Sequence, residues 1–319
     1  MLRVPGSLEK TIEKRMAWKR TLQRFNNPVI LKEIRSWMRT SQAFAVLTVY
    51  LIVISLIVFI VYQVTLASTS NPASDPNFRQ TVGKAIFGTV VILELLLAAL
   101  IGPALTSGAV SSERERRTFD LLRTTTLSAR SFVLGKLGAA LLYLILLIVA
   151  AMPIESIAFL LGGVGLAEIL ISSLMMIVCA LFFCSLGLFF SSFMRRTLGS
   201  TVGAYVVIVL SVILLVVAFV LIFMNPNLCD ARSAANDLPC QKTLIVIVWI
   251  LASTNPLLAA GISESMLTQS QNAIMATMPL GSNLSVSLPL PWIPLVGLYI
   301  ILSVFMIWAS IHFVSRPDQ

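Results

Sequence analysis

The segment that decides the fold is S111-S-E-R-E-R-R-T-F-D-L-L-R-T-T-T-L-S-A-R-S-F-V-L-G-K136, a highly charged stretch between two long apolar ones. Ser112 and Glu115 have the spacing of a helix capping box. An apolar stripe opposite the charged residues is formed by Phe119, Leu121 and Leu122. The pattern predicts a short amphipathic helix that lies at a membrane surface and is joined directly to helices inside the membrane.

The composition of the whole chain agrees with a membrane location. Of its 319 residues, 57% are hydrophobic and only 12% are charged. A soluble domain of this size could not bury so much apolar surface. The net charge of +9 is typical of some nucleic-acid-binding proteins, but the chain has no aromatic-interleaved basic patch and no finger motif. The sequence therefore predicts an all-α integral membrane protein that does not bind nucleic acid.

Six runs with few or no charges are long enough to cross about 30 Å of hydrocarbon. They are Ala43 to Leu66, Ala85 to Val110, Phe132 to Leu160, Ile169 to Phe193, Leu198 to Met224 and Trp292 to Ser315. A seventh run, Thr243 to Ser263, is interrupted by Asn255-Pro256, and proline removes a helix hydrogen bond. The chain therefore has either seven spans, or six spans and a re-entrant hairpin.

The distribution of basic residues favours six spans. Of the 23 Lys and Arg residues, ten precede residue 43, six lie in 111–136, and the others on that side are Arg195, Arg196 and Arg316. Loops rich in Lys and Arg stay in the cytoplasm, so both termini are expected there. A seventh span would place 264–291, which has no Lys or Arg, in the cytoplasm. We therefore expect a re-entrant hairpin within an outer segment, 225–291.

Three regions follow from this topology. Residues 1–42 are polar and basic and lack the apolar core of a signal peptide. We expect them to form an amphipathic segment that binds anionic lipid headgroups, or a basic tail that only fixes the topology. Residues 43–315 form the membrane domain, which includes the amphipathic surface segment 111–131. Residues 316–319 are a cytoplasmic tail. The expected location is the inner (plasma) membrane.

The four cysteines fall into two groups. Cys179 and Cys184 lie within the fourth span, where we expect them to pack as small side chains. Cys229 and Cys240 enclose a polar loop on the outer side, where an oxidising compartment permits a disulfide. Two thiols without a nearby histidine make a poor metal site, so the disulfide is the preferred interpretation and no metal is expected.

Catalytic motifs are absent from the sequence. The closest approach to a phosphate-binding loop is Gly135-Lys136, but Arg130 stands where its first glycine should be and Leu137 where Ser or Thr should be. His312 is the only histidine, which excludes histidine-based catalytic triads and the common zinc hydrolase motifs. We therefore expect no catalytic residues and no ATPase site in this chain.

For two carboxylates and one glycine pair within the spans, the sequence does not decide between alternative roles. Glu94 lies near the middle of the second span, and it either makes a structural hydrogen bond or lines a substrate path. Glu155 follows Pro153 near the outer end of the third span, where a structural or interfacial role is favoured. Gly199 and Gly203 form a G-x-x-x-G pattern that serves packing either within the chain or between chains.

The order of these features resembles the permease subunits of type-2 ABC exporters. The resemblance rests on N27-P-V-I-L-K-E-I-R35, the first two spans, E113-R-E-R-R-T-F-D-L-L-R123 and S128-A-R-S-F-V-L-G-K136, and it rests on topology alone beyond Met224. In that family the loop between spans two and three carries a coupling helix that docks into a separate ATP-binding subunit. By position, the docking residues would be Glu113, Arg114, Glu115, Arg116, Thr118, Asp120, Leu121 and Leu122, with Gly135 and Lys136 beginning the next helix. Arg117 and Thr126 stand where relatives often have Gly and Pro.

The resemblance also implies the partners of the chain. They are an ATP-binding cassette subunit that binds ATP and Mg²⁺, a second permease chain in a homodimer or heterodimer, and membrane lipids. A translocation path between the two permeases would lie near Glu94, and the outer hairpin would act as a gate. The expected function is ATP-driven export of a hydrophobic or amphipathic substrate. The alternatives are an ion- or proton-coupled secondary transporter or channel, and a membrane scaffold that does not transport.

Overall fold

The computed structural model describes residues 41–68, 76–117, 128–224, 238–270, 274–280 and 284–315. The helices are α1 (Ser41–Ser68), α2 (Phe78–Thr106), α3 (Ser111–Glu115), α4 (Ala129–Leu160), α5 (Leu166–Phe193), α6 (Thr197–Phe223), α7 (Leu238–Thr254), α8 (Pro256–Ser270) and α9 (Trp292–Ser315). Two short strands, β1 (Met275–Leu280) and β2 (Leu284–Pro289), precede the last helix.

Within the described residues, six helices are long and apolar enough to cross a membrane, namely α1, α2, α4, α5, α6 and α9. They coincide with the six predicted spans, which confirms an all-α membrane protein. The predicted boundary of the second span is wrong by two turns, because α2 begins at Phe78 rather than at Ala85. Arg79 and Lys84 therefore lie in the first turns of a helix instead of in a loop.

Helix α5 forms the centre of the bundle and packs against α2, α4 and α9. The helices α2 and α5 approach closely at two glycines: a Cβ added to Gly102 would lie 3.0 Å from Phe183 Cβ, and one added to Gly187 would lie 2.9 Å from Pro103 Cα. Cys179 and Cys184 of α5 are fully buried free thiols, as expected for packing residues.

The helices α1 and α6 lie at the periphery of the bundle. On α1, the buried residues among those described are Tyr50 and Ile54, and most of its other side chains are exposed. Helix α6 packs at its beginning, where a Cβ added to Gly203 would lie 2.9 Å from Phe190 Cδ1 and one added to Gly199 would lie 3.3 Å from Met194 Sδ. The two glycines of the G-x-x-x-G pattern therefore pack against the end of α5 within the same chain.

The seventh apolar run is broken at the dipeptide that the sequence indicates. The pair α7 and α8 is bent by 118° at Asn255. The Asn255 side-chain oxygen accepts hydrogen bonds from the backbone N–H groups of Leu257 (2.9 Å) and Leu258 (3.3 Å). Pro256 occupies the first helical position, where its missing N–H costs nothing. The dipeptide therefore begins a new helix in a different direction.

Helix α9 holds this bent pair. The Tyr299 hydroxyl donates to the Thr254 carbonyl at the end of α7 (3.2 Å), and the Ser263 hydroxyl of α8 accepts from the Trp292 backbone N–H (3.2 Å). Because both helices of the pair are bonded to α9, the bend is fixed by tertiary contacts as well as by Asn255-Pro256.

The antiparallel pair β1 and β2 was not predicted from the sequence. Its register pairs Met275 with Pro289 and Leu280 with Leu284. The strict alternation of apolar and polar residues from Leu284 to Leu288 is the signal that indicates a strand. The signal is weak because the run is short and lies among long apolar helices.

Candidate functional site

The charged helix α3 lies where four membrane helices begin or end. Helix α2 leads into it, α4 begins shortly after it, and it contacts the beginning of α6. Helix α3 contains five residues, and isolated helices of this length are unstable in water. Its position therefore depends on the side chains that bind it.

Glu113 connects α3 to α4. Its carboxylate Oε1 lies 3.7 Å from the Lys136 ammonium Nζ, and the side chains are 28% and 15% exposed, respectively. The Lys136 Nζ also lies 5.8 Å from the centre of the Phe132 ring. The partly buried ion pair ties α3 to the second turn of α4.

Arg114 connects α3 to α5. Its guanidinium Nη1 donates a hydrogen bond to the backbone carbonyl of Ser192 at 3.1 Å. This carbonyl belongs to the last turn of α5, where helix carbonyls have no intrahelical partner and where positive charge is favourable.

Glu115 connects α3 to α6. Its Oε1 accepts a hydrogen bond from the Thr197 backbone N–H at 2.8 Å, and its Oε2 lies 3.0 Å from the Thr197 hydroxyl. Thr197 is the first residue of α6, whose N-cap residue, Arg196, makes no side-chain capping bond. The carboxylate therefore satisfies a free N–H at the positive end of the α6 dipole.

A buried group of hydroxyls fixes the beginning of α3. The Ser191 hydroxyl oxygen of α5 accepts hydrogen bonds from the backbone N–H groups of Val110 (2.9 Å) and Ser111 (3.1 Å). The Ser111 hydroxyl donates to the Ser107 carbonyl at 2.9 Å, and the Ser200 hydroxyl of α6 donates to the same carbonyl. Hydroxyls from α5 and α6 thus bind the backbone that joins α2 to α3.

The capping box predicted for Ser112 and Glu115 is wrong, because the cap of α3 comes from Ser191. Ser112 lies inside α3 and donates to the Gly108 carbonyl, while Glu115 binds Thr197. The N–H groups at the beginning of α3 are capped by Ser191 from another helix. Sequence spacing alone does not reveal a cap that comes from a residue 80 positions away. The polar pairs Ser191-Ser192 and Ser200-Thr201, at the ends of apolar runs, are the signal that could have indicated it.

The outward side of this site is basic. Arg116 and Arg117 follow the three bonded residues and are exposed, and Arg195 and Arg196, next to Thr197, are also exposed. We call these four residues the arginine edge. Arg117 has a φ of +57°, the left-handed conformation that glycine adopts most easily. Arg117 therefore occupies a backbone position that favours glycine.

The other predicted site residues fall into two sets. Gly135 is buried next to Lys136 in α4. Outside the described residues lie Thr118, Phe119, Asp120, Leu121, Leu122 and Cys229, together with the Cys240 side chain. The disulfide and the apolar stripe stay predictions. The predicted surface segment 111–131 extends into α4, which begins at Ala129.

A second polar site lies inside the bundle. Glu94 of α2 is only 5% exposed, and its Oε1 accepts a hydrogen bond from the Tyr50 hydroxyl of α1 at 3.2 Å. Glu155 of α4 is 3% exposed and lies within electrostatic range of both groups. Its burial agrees with the structural rather than the interfacial form of the role favoured for Glu155, and Glu94 makes the hydrogen bond to a neighbouring helix that one of its two expected roles requires.

No metal centre is present in the described ranges, where no three His, Cys, Asp or Glu side chains are grouped to hold an ion. The arrangement at α3 has no nucleophile held by a base. What it provides is a mechanical connection: one short helix that is bonded to the ends of three membrane helices.

The family comparison agrees with this architecture. The model of the ABC-2 family transporter protein matches residues 28–306. This chain belongs to that family, and it is a multi-pass membrane protein of the type-2 ABC permease class. Among curated proteins, no significant match to the chain is found.

Proposed function

We propose that this chain is the membrane-spanning subunit of an ATP-driven exporter, in which α3 receives the motion of a separate ATP-binding subunit. The observation that supports the proposal is the set of bonds made by three consecutive residues. Glu113, Arg114 and Glu115 bind α4, α5 and α6 in turn. A displacement of α3 therefore acts on the ends of three membrane helices at once.

The contacts of the charged side chains change which residues we assign to the docking surface. Glu113 and Glu115 turn towards the bundle, so we assign them to transmission rather than to direct docking. The arginine edge faces outward, and an acidic groove on the partner would complement it. Thr118, Asp120, Leu121 and Leu122 continue the chain beyond Arg117 and complete the proposed docking segment. ATP and Mg²⁺ would be bound by the partner.

ATP can move α3 only if the partner contacts it differently in the ATP-bound and ATP-free states. The difference in those contact energies then biases the bundle between two arrangements. We place the α3 end in the cytoplasm of the cell, together with both termini, because 19 of the 23 basic residues lie on that side. The membrane is then the inner (plasma) membrane.

The remaining parts of the assembly follow from the family. A second permease chain would complete the transport path. The bent pair α7 and α8 lies at the opposite end from α3, where we propose that it enters the membrane and returns as a gate. Beside the break at Asn255, the Thr254 carbonyl accepts a hydrogen bond from the Tyr299 hydroxyl of α9, so this backbone group has the protein partner that a re-entrant segment requires. The substrate would be hydrophobic or amphipathic, because the proposed path is lateral and apolar.

The test uses charge reversal at the arginine edge. The affinity-tagged chain is purified from its own host in mild detergent, and vanadate-sensitive ATPase activity and the co-purified ATP-binding subunit are measured. The double variant Arg116→Glu with Arg117→Glu should lose most of both. The matched control is Arg79→Glu, which reverses an exposed arginine at the opposite end of α2 and should retain both.

Two results would contradict the proposal. One is a wild-type preparation that transports substrate without any ATP-binding subunit, which would favour ion coupling. The other is full ATPase co-purification with the doubly reversed arginine edge, which would place docking elsewhere.

A further inference from the structure

A carboxylate site with unmet hydrogen bonds lies between α1, α2 and α4. Glu94 accepts one hydrogen bond, from the Tyr50 hydroxyl to Oε1, while its other oxygen, Oε2, is buried without a partner. The Oε1 atom of Glu155 is likewise buried without a partner. Buried polar atoms nearly always have partners in folded proteins, so each such atom calls for an explanation.

The surroundings of Glu94 supply no positive charge. Among the described residues, the titratable groups that act on it are Tyr50 from α1 and Glu155 from α4. The rest of the adjoining cavity is apolar, and it is lined by Leu97, Ala98, Leu144, Leu147 and Ile148. A carboxylate in such surroundings is very costly unless it is protonated or meets a cation.

The cavity beside Glu94 has room for about one water molecule. It is closed on one side by α1, which is buried only at Tyr50 and Ile54 among its described side chains. The single Tyr50 hydrogen bond is therefore the main polar contact that holds α1 over the carboxyl group. A small outward movement of α1 would open Glu94 to a ligand that arrives laterally from the lipid.

We propose that Glu94 is a binding site for the ammonium group of a membrane-soluble alkylamine. A protonated amine supplies the positive charge that the site lacks and N–H donors for Glu94 Oε2, and its alkyl chain matches the apolar lining. Without the ligand, Glu94 holds a proton. When the alkylammonium binds, the carboxyl group releases that proton to solvent and the resulting carboxylate pairs with the cation.

Glu155 supports binding from the α4 side. Glu155 does not line the cavity beside Glu94, but its negative charge or dipole acts on Glu94 and favours a cation in the space between α2 and α4. The proposal deepens the proposed function by naming a substrate class. The alkylamine would bind to the permease chain without the ATP-binding subunit. If no binding is found, the alkylamine site is therefore excluded, but the proposed coupling to ATP hydrolysis is not.

The experiment measures binding of dodecylammonium to the purified chain in nanodiscs by calorimetry. Dodecanol, which has the same alkyl chain but no charge, is the ligand control. Titrations in two buffers with different ionisation enthalpies report proton release. We expect saturable binding of dodecylammonium with release of a proton, and no saturable binding of dodecanol.

Variants locate the site. Glu94→Gln should weaken dodecylammonium binding roughly tenfold to a hundredfold, as expected for a lost hydrogen bond to a charged group, and should abolish proton release. Glu155→Gln should weaken it less. Tyr50→Phe keeps the carboxyl group but removes the hydrogen bond that holds α1 over it, so access to Glu94 should become easier and binding should still release a proton. Glu168→Gln changes a carboxylate that caps the beginning of α5 and is the matched control.

The proposal is overturned if Glu94→Gln, shown to be folded by its circular dichroism and gel-filtration profile, binds dodecylammonium as the wild type does. Equal binding of dodecanol by the wild type would show partition rather than recognition. If Glu94→Gln does not fold, the proposal is still tested by comparing dodecylammonium and dodecanol on the wild type and on Tyr50→Phe. Binding of dodecylammonium without release of a proton would exclude the exchange of the Glu94 proton for the bound cation.

Discussion

Replacing Glu115 by alanine should loosen the beginning of α6, although Glu115 belongs to a different helix. The carboxylate accepts the Thr197 backbone N–H at 2.8 Å and lies 3.0 Å from the Thr197 hydroxyl. Without it, the N–H loses its acceptor and the positive end of the α6 dipole loses a negative charge. The variant therefore removes the Glu115 contact between α3 and α6 while leaving the contacts of Glu113 and Arg114 in place.

The size of the effect follows from known capping energies. Removing a side chain that caps a helix N-terminus costs about 1 kcal/mol, within a range of roughly 0.5–2 kcal/mol. Glu115 is exposed, so water competes for the carboxylate and the lower half of that range applies. A loss of about 1 kcal/mol raises the fraction of time that the first turn is open about fivefold.

Hydrogen–deuterium exchange on the chain in nanodiscs measures this opening directly. The amide of Thr197 should lose its protection in Glu115→Ala, and the amides of the next turn, from Ser200 on, should exchange about fivefold faster. Glu115→Gln keeps an acceptor but loses the charge, so it should fall between wild type and alanine.

The matched control is Arg116→Ala, which changes a neighbouring exposed side chain and should leave α6 unchanged. Glu115 does not cap α6 in this way if Glu115→Ala exchanges at the beginning of α6 as the wild type does, or if Arg116→Ala has the same effect. The first result would mean that solvent caps α6 equally well, and the second that any disturbance of α3 spreads to α6.

Three further predictions concern the backbone, the core and the outer loop. Arg117→Gly should raise the unfolding free energy by about 1 kcal/mol, because glycine adopts a φ of +57° without steric cost; an unchanged or lower melting temperature would count against that conformation. Gly187→Val should lower the unfolding free energy by roughly 1–3 kcal/mol, because an added Cβ would lie 2.9 Å from Pro103 Cα; wild-type thermal stability in detergent would contradict this packing. Cys229 and Cys240 should be disulfide-linked in protein purified without reductant; free thiols at both positions in peptide mass spectrometry would rule this out.

The six membrane helices could be predicted because each is a local property of the sequence. Charge-free length is enough to define a span, and the break at Asn255-Pro256 follows from the chemistry of the two residues. Both features are contained in one continuous segment of the chain and need no contact with a distant segment. The boundary of α2 was missed because Arg79 and Lys84 resemble loop residues, whereas long basic side chains at a helix end can reach the membrane surface.

The contacts of α3 could not be predicted because they join distant parts of the chain. Ser112 and Glu115 satisfy the local rule for a capping box, but the structure uses Ser191 for the cap and gives Glu115 to Thr197. Tertiary acceptors compete with local ones, and a single sequence does not show which of them is near. The same limit applies to Tyr50 and Glu94, which lie 44 positions apart.

The shortness of α3 supports the role in transmission that we propose for it. A long helix keeps its shape when its surroundings move, but a five-residue helix has too few internal hydrogen bonds to do so. It is held instead by α4 through Glu113, by α5 through Arg114 and Ser191, and by α6 through Glu115. A force on the arginine edge cannot be absorbed by bending α3 without breaking at least one of these bonds, and several are partly or fully buried. The lower-cost response is for the three helix ends to move with α3, which is the response that coupling to a partner requires.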